Sequence, residues 1–360
     1  IALLLVLTLL GIAGDSPALA QGSAESTPAP RALILESVDV RPADRGIELV
    51  LWRWLELDPG DEITPEALLL ARERLLSSGY FDELQIYTAR GSAPGQVVLV
   101  VEGKLDRGTH IETGFGYEPL DSWYLNIIGA RWNSPFHRGG FLRFGWSAGL
   151  RTSGTYADWL RPSTAGNLDL LVSARALNQR WIVWLDDTQY RQDIERNSIA
   201  LGLGRTRMRG TSAMWWLSYG ATKPGSTLEQ FAGDDEIPIP TELPYIDEWQ
   251  HLLQTQLDLS LDRRSHRIAP RSGSYLGTRL RAGLVDGDQG YLRLLADGRQ
   301  FFTLPGRSIL GVRLQGAWAS PETPYYERFI FGGVDNVRGF ADASLSGPLG
   351  ASAFAAGTIE

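Results

Sequence analysis

In the stretch LLQTQLDLSLD, residues 252–262, one face holds Leu253, Leu257, Leu259 and Leu261, and the other holds Gln254, Gln256, Asp258, Ser260 and Asp262. Successive side chains of a β-strand point to opposite faces, so this pattern predicts a strand with one apolar and one polar face. Three more stretches repeat the pattern: FLRFGWSAGL (141–150), YLGTRLRAGL (275–284) and SILGVRLQGAW (308–318). Each is about ten residues long, the length of a tilted strand that crosses a bilayer.

Two kinds of fold explain this alternation, and they differ in where the apolar face points. A soluble β-sandwich would turn it inward, whereas a membrane barrel turns it towards lipid and keeps a polar interior. Arg, Asp, Gln and Gly share one face here, which suits a water-filled lumen. The connections also range from tight turns near 135–140 to a long acidic loop at about 222–249. We therefore predict an antiparallel membrane β-barrel over residues 109–360, with THIETGFGYE (109–118) as its first strand.

The composition excludes several classes of function. The 360 residues contain no cysteine, so thiol nucleophiles, zinc ribbons, iron–sulfur clusters and disulfide frameworks are ruled out. The net charge of −8 gives no basic footprint for nucleic acid. No catalytic constellation or cofactor motif emerges, and we predict neither an enzyme nor a cofactor.

The first residues are typical of a secretory signal. An apolar run is followed by Ala18 and Ala20 in the A-x-A arrangement of a cleavage site, which predicts a partial signal peptide over 1–20. The charged start and the initiator Met are missing, so we expect the sequence to begin inside the signal. Residues 21–32, rich in Ser, Ala and Pro, are interpreted as a linker.

A small α+β domain is predicted over residues 33–105. LILESVDVR (33–41) alternates as a strand, and a helix is expected within 64–80, with Thr64 as its N-cap and Gly79 just past its end. Two strands follow, FDELQIYTA (81–89) and QVVLVVEG (96–103), separated by a glycine-containing turn.

These features together resemble a known family. LELDPGDEIT (55–64), LLSSGYFDELQI (75–86) and VVLVVEGK (97–104) are similar to a POTRA domain. NSPFHRGG (133–140), LDRRSHRIAPRSGSYL (261–276) and YYERFIFGGVDNVRGF (325–340) resemble the barrel of the BamA/TamA-like outer-membrane assembly factors, a superfamily that also includes bacterial surface antigens and two-partner-secretion transporters. The Gly-Gly and Arg-Gly-Phe elements make the last stretch the most specific.

The resemblance implies two sets of site residues. A loop folded into the barrel lumen would carry Gly332, Gly333, Val337, Arg338, Gly339 and Phe340. Arg338 would reach a lumen-facing acidic residue, Phe340 would pack the loop tip, and the glycines would allow the reversal. The POTRA motif would comprise Gly60, Gly79, Phe81 and Glu102. The family's usual acidic partner lies in a later strand, so we expect a complete barrel of about 16 strands whose last strands are absent here.

The implied function involves no covalent chemistry and no metal. A periplasmic POTRA domain would receive an unfolded outer-membrane or secreted polypeptide by strand addition, and the barrel would insert it into the outer membrane or pass it through the lumen. Outer-membrane lipids and lipopolysaccharide, periplasmic chaperones or lipoproteins are the other expected partners. Insertion is our first hypothesis and a two-partner-secretion-type transporter our second; a passive porin or an outer-membrane enzyme comes third.

Two acidic runs have plainer explanations. Asp186 and Asp187 are adjacent, and adjacent strand residues point to opposite faces, so we interpret them as solvated turn or lumen residues and not as a carboxylate pair. The run Asp234-Asp235-Glu236 would suit a divalent cation shared with lipopolysaccharide, but a solvated loop is the better interpretation.

Overall fold

The computed structural model describes most of the chain after residue 32. The described residues are 33–41, 47–48, 51, 54–118, 122–133, 140–149, 151–162, 168–185, 187–205, 210–230, 236–240, 246, 248–265, 269–333, 337–341 and 343–360. The predicted signal peptide (1–20) and linker (21–32) lie outside them. The chain divides into two units, called here the N-terminal unit (1–108 and 133–140) and the sheet unit (109–132 and 141–360).

The N-terminal unit contains a four-stranded sheet and one helix. Its elements are β1 (Leu33–Arg41), β2 (Glu62–Ile63), α1 (Pro65–Ser77), β3 (Phe81–Arg90) and β4 (Gln96–Leu105). The strand order is β2-β1-β4-β3, in which β1 and β4 are parallel and the other pairs antiparallel.

The helix of this unit begins and ends as its sequence predicts. The hydroxyl of Thr64 accepts a hydrogen bond from the backbone N–H of Ala67 at 3.1 Å, which satisfies one of the free donors of the first turn. Gly79 follows the helix with a φ of 69°, a conformation that favours glycine. Ala71 and Leu75 are the buried residues of the helix, and Leu99 and Val101 of β4 are fully buried in the same small core.

The sheet unit is one large antiparallel sheet. Its strands are β5 (Thr109–Glu118), β6 (Ser122–Asn133), β7 (Phe141–Gly149), β8 (Thr152–Pro162), β9 (Asp169–Leu185), β10 (Thr188–Arg205), β11 (Gly210–Pro224), β12 (Thr227–Gln230), β13 (Glu236–Pro238), β14 (Gln250–Asp262), β15 (Gly273–Val285), β16 (Gln289–Thr303), β17 (Ile309–Ala319) and β18 (Ala353–Ile359). The sheet has 14 strands and runs from β5 to β18 in chain order, with β12 and β13 off the main path. The first strand is the one predicted.

The long acidic connection at 222–249 differs from the plain loop that its composition suggests. It contains β12, which pairs with β10, and β13, which pairs with β12. This is possible because β10 runs for 18 residues, well beyond the predicted strand length of about ten, and so offers a free edge. Leu228 of β12 is fully buried, which fixes the hairpin against the sheet.

The two faces of the sheet have opposite character. Along β14, Leu253, Leu257 and Leu259 are 46%, 36% and 43% exposed, so the apolar face points outward. A soluble sandwich buries its apolar face, so this barrel-like sheet contradicts that alternative. The polar side chains between these leucines share the opposite face, called here the inner face. No helix among the described residues is long and apolar enough to span a membrane.

Charges on the inner face are paired between strands. The carboxylate of Asp158 on β8 lies 2.9 Å from Arg143 Nε on β7 and 2.8 Å from Arg175 Nη1 on β9. Asp297 on β16 is bound by Arg299 of the same strand and by Arg313 of β17. Each carboxylate thus ties the side chains of adjacent strands, which offsets the cost of removing these charges from bulk water.

Candidate functional site: the loop between β17 and β18

The longest connection near the end of the chain, residues 320–352, folds back onto the inner face of the sheet. Its base contains a 3-10 turn at Tyr325–Glu327, and a backbone bridge joins Phe329 to Ala351, so the outgoing and returning segments pair. We call residues 325–329 the loop base and residues 332–340 the loop tip. The base is buried: Tyr326, Glu327 and Phe329 are all below a tenth exposed.

Glu327 is the centre of the loop base. Its Oε1 accepts a hydrogen bond from Arg196 Nη1 at 2.7 Å, and its Oε2 accepts from Arg281 Nη1 and Arg293 Nη1, both at 2.9 Å. The three arginines belong to β10, β15 and β16. Only 3% of the Glu327 side chain is exposed. The carboxylate therefore binds three strands at once, and each of these bonds is charge-assisted.

Burial alone would raise the pKa of the Glu327 carboxyl, because it disfavours the charged form. The Arg196, Arg281 and Arg293 guanidiniums more than offset this and lower that pKa to about 2. Glu327 is therefore a carboxylate at any physiological pH. Its role here is structural, since a permanently ionised group with such a low pKa is poorly matched to proton transfer near neutrality.

The arginines that bind Glu327 come from strands that are not neighbours. Arg196 on β10 and Arg281 on β15 are three strands apart in the sheet order. Both guanidiniums reach the one Glu327 carboxylate. The loop base is therefore bound across several strands of the inner face.

Two tyrosines add a second bond to β10 and a bond to β14. Tyr325 Oη donates to Gln192 Oε1 at 2.8 Å, and Tyr326 Oη donates to Gln250 Oε1 at 2.6 Å. The Tyr326 ring also lies 5.4 Å from the Arg196 guanidinium. Around them is a buried apolar cluster of six residues: Trp181, Val183, Ile194, Leu228, Leu252 and Tyr326. The loop base is thus held by apolar packing as well as by ions.

The loop tip contains the glycines singled out in the sequence. Gly332, Gly333 and Gly339 have φ values of 108°, 102° and 93°, which other residues rarely adopt. At Gly332 a side chain would also be obstructed, because its Cβ would lie 2.8 Å from the carbonyl oxygen of Ala341. Val337 N–H donates to Gly333 O at 3.1 Å, so Gly333 and Val337 are paired across residues 334–336. These glycines therefore allow the chain to reverse.

Arg338 and Phe340 lie at the exposed end of the tip. Arg338 Nη1 is 2.7 Å from Glu360 Oε1, and these side chains are 67% and 55% exposed. Phe340 is 52% exposed. The structure thus pairs Arg338 with the exposed carboxylate of Glu360, which directly follows β18. The buried lumen contact expected for Arg338 and the packing role of Phe340 stay predictions.

Residues 131–360, more than half of the chain, match the Omp85 superfamily domain. The chain belongs to the Omp85 superfamily. This match confirms the family resemblance seen in the sequence. Omp85 proteins are non-enzymatic outer-membrane β-barrels that insert or transport polypeptides. No curated protein matches the chain.

Three solved structures are similar to the chain. The crystal structure of BamA from Haemophilus ducreyi lacking POTRA domains 1–3 has a TM-score of 0.58 at 14% identity, covering 92% of this chain and 67% of that one. CdiB from Acinetobacter baumannii has a TM-score of 0.42 at 15% identity, covering 88% and 58%. CdiB from Escherichia coli has a TM-score of 0.42 at 11% identity, covering 94% and 79%. The first of these supports the fold alone.

The four residues of the predicted POTRA motif lie in the N-terminal unit. Gly60, with a φ of 100°, donates its N–H to Leu35 O and turns the chain before β2. Phe81 is buried over Gly103, and Glu102 accepts a hydrogen bond from Tyr87 Oη at 2.8 Å. With Gly79 behind the helix, all four are placed to support the α+β fold, and a POTRA function for them stays a prediction.

The described structure gives no support for a carboxylate or metal site at the two acidic runs, 186–187 and 234–236. Asp186, Asp234 and Asp235 lie outside the described residues, and Asp187 occupies a turn with a φ of 65°. Within the described part of the chain, no group of three or more His, Asp or Glu side chains is arranged to hold a metal.

Glu327 is the site residue that sequence reasoning missed, although it stands in the family-like stretch 325–340. Its three arginine partners are 131, 46 and 34 residues away in sequence. One signal was present: Glu327 is an acidic residue within the aromatic-rich stretch YYERF (325–329), in a chain whose strands carry Arg on the polar face. Such a residue needs a buried cationic partner if the loop folds inward.

Proposed function

We propose that this Omp85 protein is an outer-membrane assembly factor that inserts unfolded polypeptides into the membrane without covalent chemistry. In this proposal the N-terminal unit is a periplasmic POTRA domain that receives the polypeptide, and the sheet unit is the inserting barrel. Family membership supports insertion or secretion in general, and the proposal commits to insertion.

The observation that carries the proposal is the loop base bound across the inner face. A passive porin leaves its interior to water and solutes, whereas here Glu327 fixes a loop of the chain to β10, β15 and β16. A barrel interior occupied in this way disfavours free passage. It suits a protein whose substrate is handled by the strands, with the loop as a fixed internal support.

The receiving surface in this proposal is the outer edge of β3. In the strand order β2-β1-β4-β3, β3 has β4 on one side and ends the sheet on the other. An unpaired edge presents free N–H and C=O groups to which an extended polypeptide adds as a further strand. The other edge, β2, is only two residues long and offers far fewer bonds. β3, with ten residues, is the better acceptor.

The test is site-specific photo-cross-linking in cells that export a model outer-membrane barrel. A photoreactive residue at Gln85, exposed on β3, should capture the unfolded substrate, whereas one at Glu73, exposed on α1, should not. Equal cross-linking at both positions, or none at Gln85, would contradict strand addition at this edge.

The insertion step itself is tested with purified protein in lipid vesicles. Added protein should speed the appearance of heat-modifiable, membrane-embedded substrate, and Glu327→Gln should reduce the effect. If the substrate instead accumulates in soluble form on the far side of the membrane, the chain is a secretion transporter, and the insertion proposal fails.

A further inference from the structure

A groove crosses the apolar face of the sheet, called here the outer face, from β11 to β16. It has a volume of about 540 Å³, within the span of about 300–1,000 Å³ that is usual for sites that bind small molecules. Its walls include four leucines, one from each strand: Leu217, Leu253, Leu284 and Leu292. These side chains are 41–46% exposed, so the groove is apolar and opens outward.

Small side chains keep the groove open. Thr255 of β14 lies opposite Ala282 of β15, and Gly290 of β16 lies opposite Leu284. Gly290 does not have the positive φ that favours glycine, and an added Cβ would have only Leu284 Cδ2 within 4 Å, at 3.7 Å. Neither the backbone angle nor crowding among the described residues therefore requires glycine at this position. A larger side chain at 290 would project into the groove.

One end of the groove is formed by Ser320 and Glu322, at the start of the loop between β17 and β18. The N–H of Ser320 donates to Leu292 O at 2.9 Å, and the Ser320 hydroxyl accepts from Leu292 N–H at 3.2 Å, so the loop is tied to β16 here. The long acidic connection at 222–249 leaves the sheet at the same end. The long loops of outer-membrane barrels are extracellular, so we expect this end of the groove in the outer leaflet.

We propose that this groove binds one acyl chain of a lipopolysaccharide molecule in the outer leaflet. An outer-membrane barrel turns its apolar face to lipid, so the groove is continuous with a surface that lipid covers. Lipid tails are as apolar as leucine, so the gain comes from close packing of the chain against several side chains and not from the removal of water. The leucine walls and the small residues between them provide that packing, which a flat face does not.

Two other occupants fit the groove less well. An extended polypeptide would place backbone N–H and C=O groups among leucines, where they would lack hydrogen-bond partners. A phospholipid has the same kind of chain, but lipopolysaccharide is the main lipid of the outer leaflet. The exposed Glu322 carboxylate would repel the phosphates of either headgroup, so we assign the binding to the chain alone. This inference rests on membership of the Omp85 superfamily and is independent of the insertion proposal.

The first arm of the test counts bound lipids by mass spectrometry of the intact protein, extracted from outer membranes in mild detergent. The wild-type protein should retain one lipopolysaccharide molecule more firmly than any other lipid. Gly290→Leu, which fills the groove, should lose it at a several-fold lower detergent concentration. Ala296→Leu, on the outer face of the same strand but outside the groove, should retain it as the wild type does. Equal retention in both variants, or a phospholipid in its place, would overturn the proposal.

The second arm uses only the wild-type protein and does not depend on a variant folding. A structure determined from the same extract should show one elongated, unbranched density beside Gly290, running between Leu253 and Leu292 and continuous with a lipopolysaccharide headgroup. An empty groove, a polypeptide in the groove, or a chain that ends in a phospholipid headgroup would overturn the proposal.

Discussion

The loop base and the loop tip belong to one connection, yet they are held in very different ways. The base buries a carboxylate bonded to three arginines and two tyrosine hydroxyls bonded to strand amides. The tip ends in one exposed ion pair, Arg338 with Glu360. Exposed pairs are worth about 0–1 kcal/mol, whereas breaking one side of a buried pair costs about 3–5 kcal/mol. The stability of the loop therefore depends on its base.

The residues that identify the family are therefore different from the residue that contributes most to the stability of the loop. The glycines and the Arg-Gly-Phe triplet of the tip make the sequence recognisable, because their backbone angles restrict which residues fit. Glu327 carries the larger interaction energy, although it is a single acidic residue without a local sequence motif. Substitutions in the loop base should therefore destabilise the protein much more than substitutions in the loop tip.

The largest effect is expected for Glu327→Gln. Three buried guanidiniums would lose their common anion, which should lower the free energy of unfolding by about 3–5 kcal/mol. Urea unfolding in lipid micelles measures this. Glu195→Gln, an exposed carboxylate on the same strand as Arg196, is the control and should change little. If Glu327→Gln lowered the free energy of unfolding no more than Glu195→Gln does, Glu327 would not be the residue that anchors the loop.

Acidification should remove part of the same contribution. The pKa of Glu327 is depressed to about 2 from an ordinary value near 4.5. A depressed pKa stabilises the folded state fully above the ordinary value, and this stabilisation is lost as the pH falls towards the folded value. The stability gap between wild type and Glu327→Gln should therefore narrow between about pH 4.5 and 2. A gap that stays constant over this range would contradict the charge assignment.

A smaller loss is expected for Tyr326→Phe. The change removes the 2.6 Å bond to Gln250 and leaves a buried amide oxygen without its donor, at a cost of about 1–3 kcal/mol. Tyr219→Phe, whose hydroxyl meets His251 on the exposed face, should cost clearly less. If both variants lost the same free energy of unfolding, burial of the loop base would not strengthen the hydrogen bond between Tyr326 and Gln250.

The smallest effect on stability is expected for Arg338→Ala. Its ion pair with Glu360 is exposed, so the loss should stay below about 1 kcal/mol, and it should shrink further in high salt. Unfolding at low and high ionic strength checks this. A salt-independent loss comparable to that of Glu327→Gln would mean that the tip is as firmly held as the base.

Local patterns made much of this fold predictable. The alternation of Leu and polar residues in 252–262 gave the strand and its two faces, and Thr64 with Gly79 gave the ends of the helix, because these features depend on neighbours in sequence. The hairpin of β12 and β13 was missed, since it depends on the free edge left by the long strand β10.

The site was less predictable than the fold. Glu327 acquires its role only when β10, β15 and β16 bring three arginines to it. No local sequence pattern predicts that these four residues are in contact. The glycines of the tip were found because backbone angles restrict sequence locally. Ion partners that are distant in the chain leave no such trace in a single sequence.

The most direct test of the loop anchor is a double-mutant cycle between Glu327 and Arg281. The free energy of unfolding would be measured for wild type, Glu327→Gln, Arg281→Met and the double variant. If the two groups form the anchor described, Arg281→Met should cost much less in the Glu327→Gln background than in wild type. Equal costs in both backgrounds would contradict the claim that this carboxylate holds the loop to the sheet.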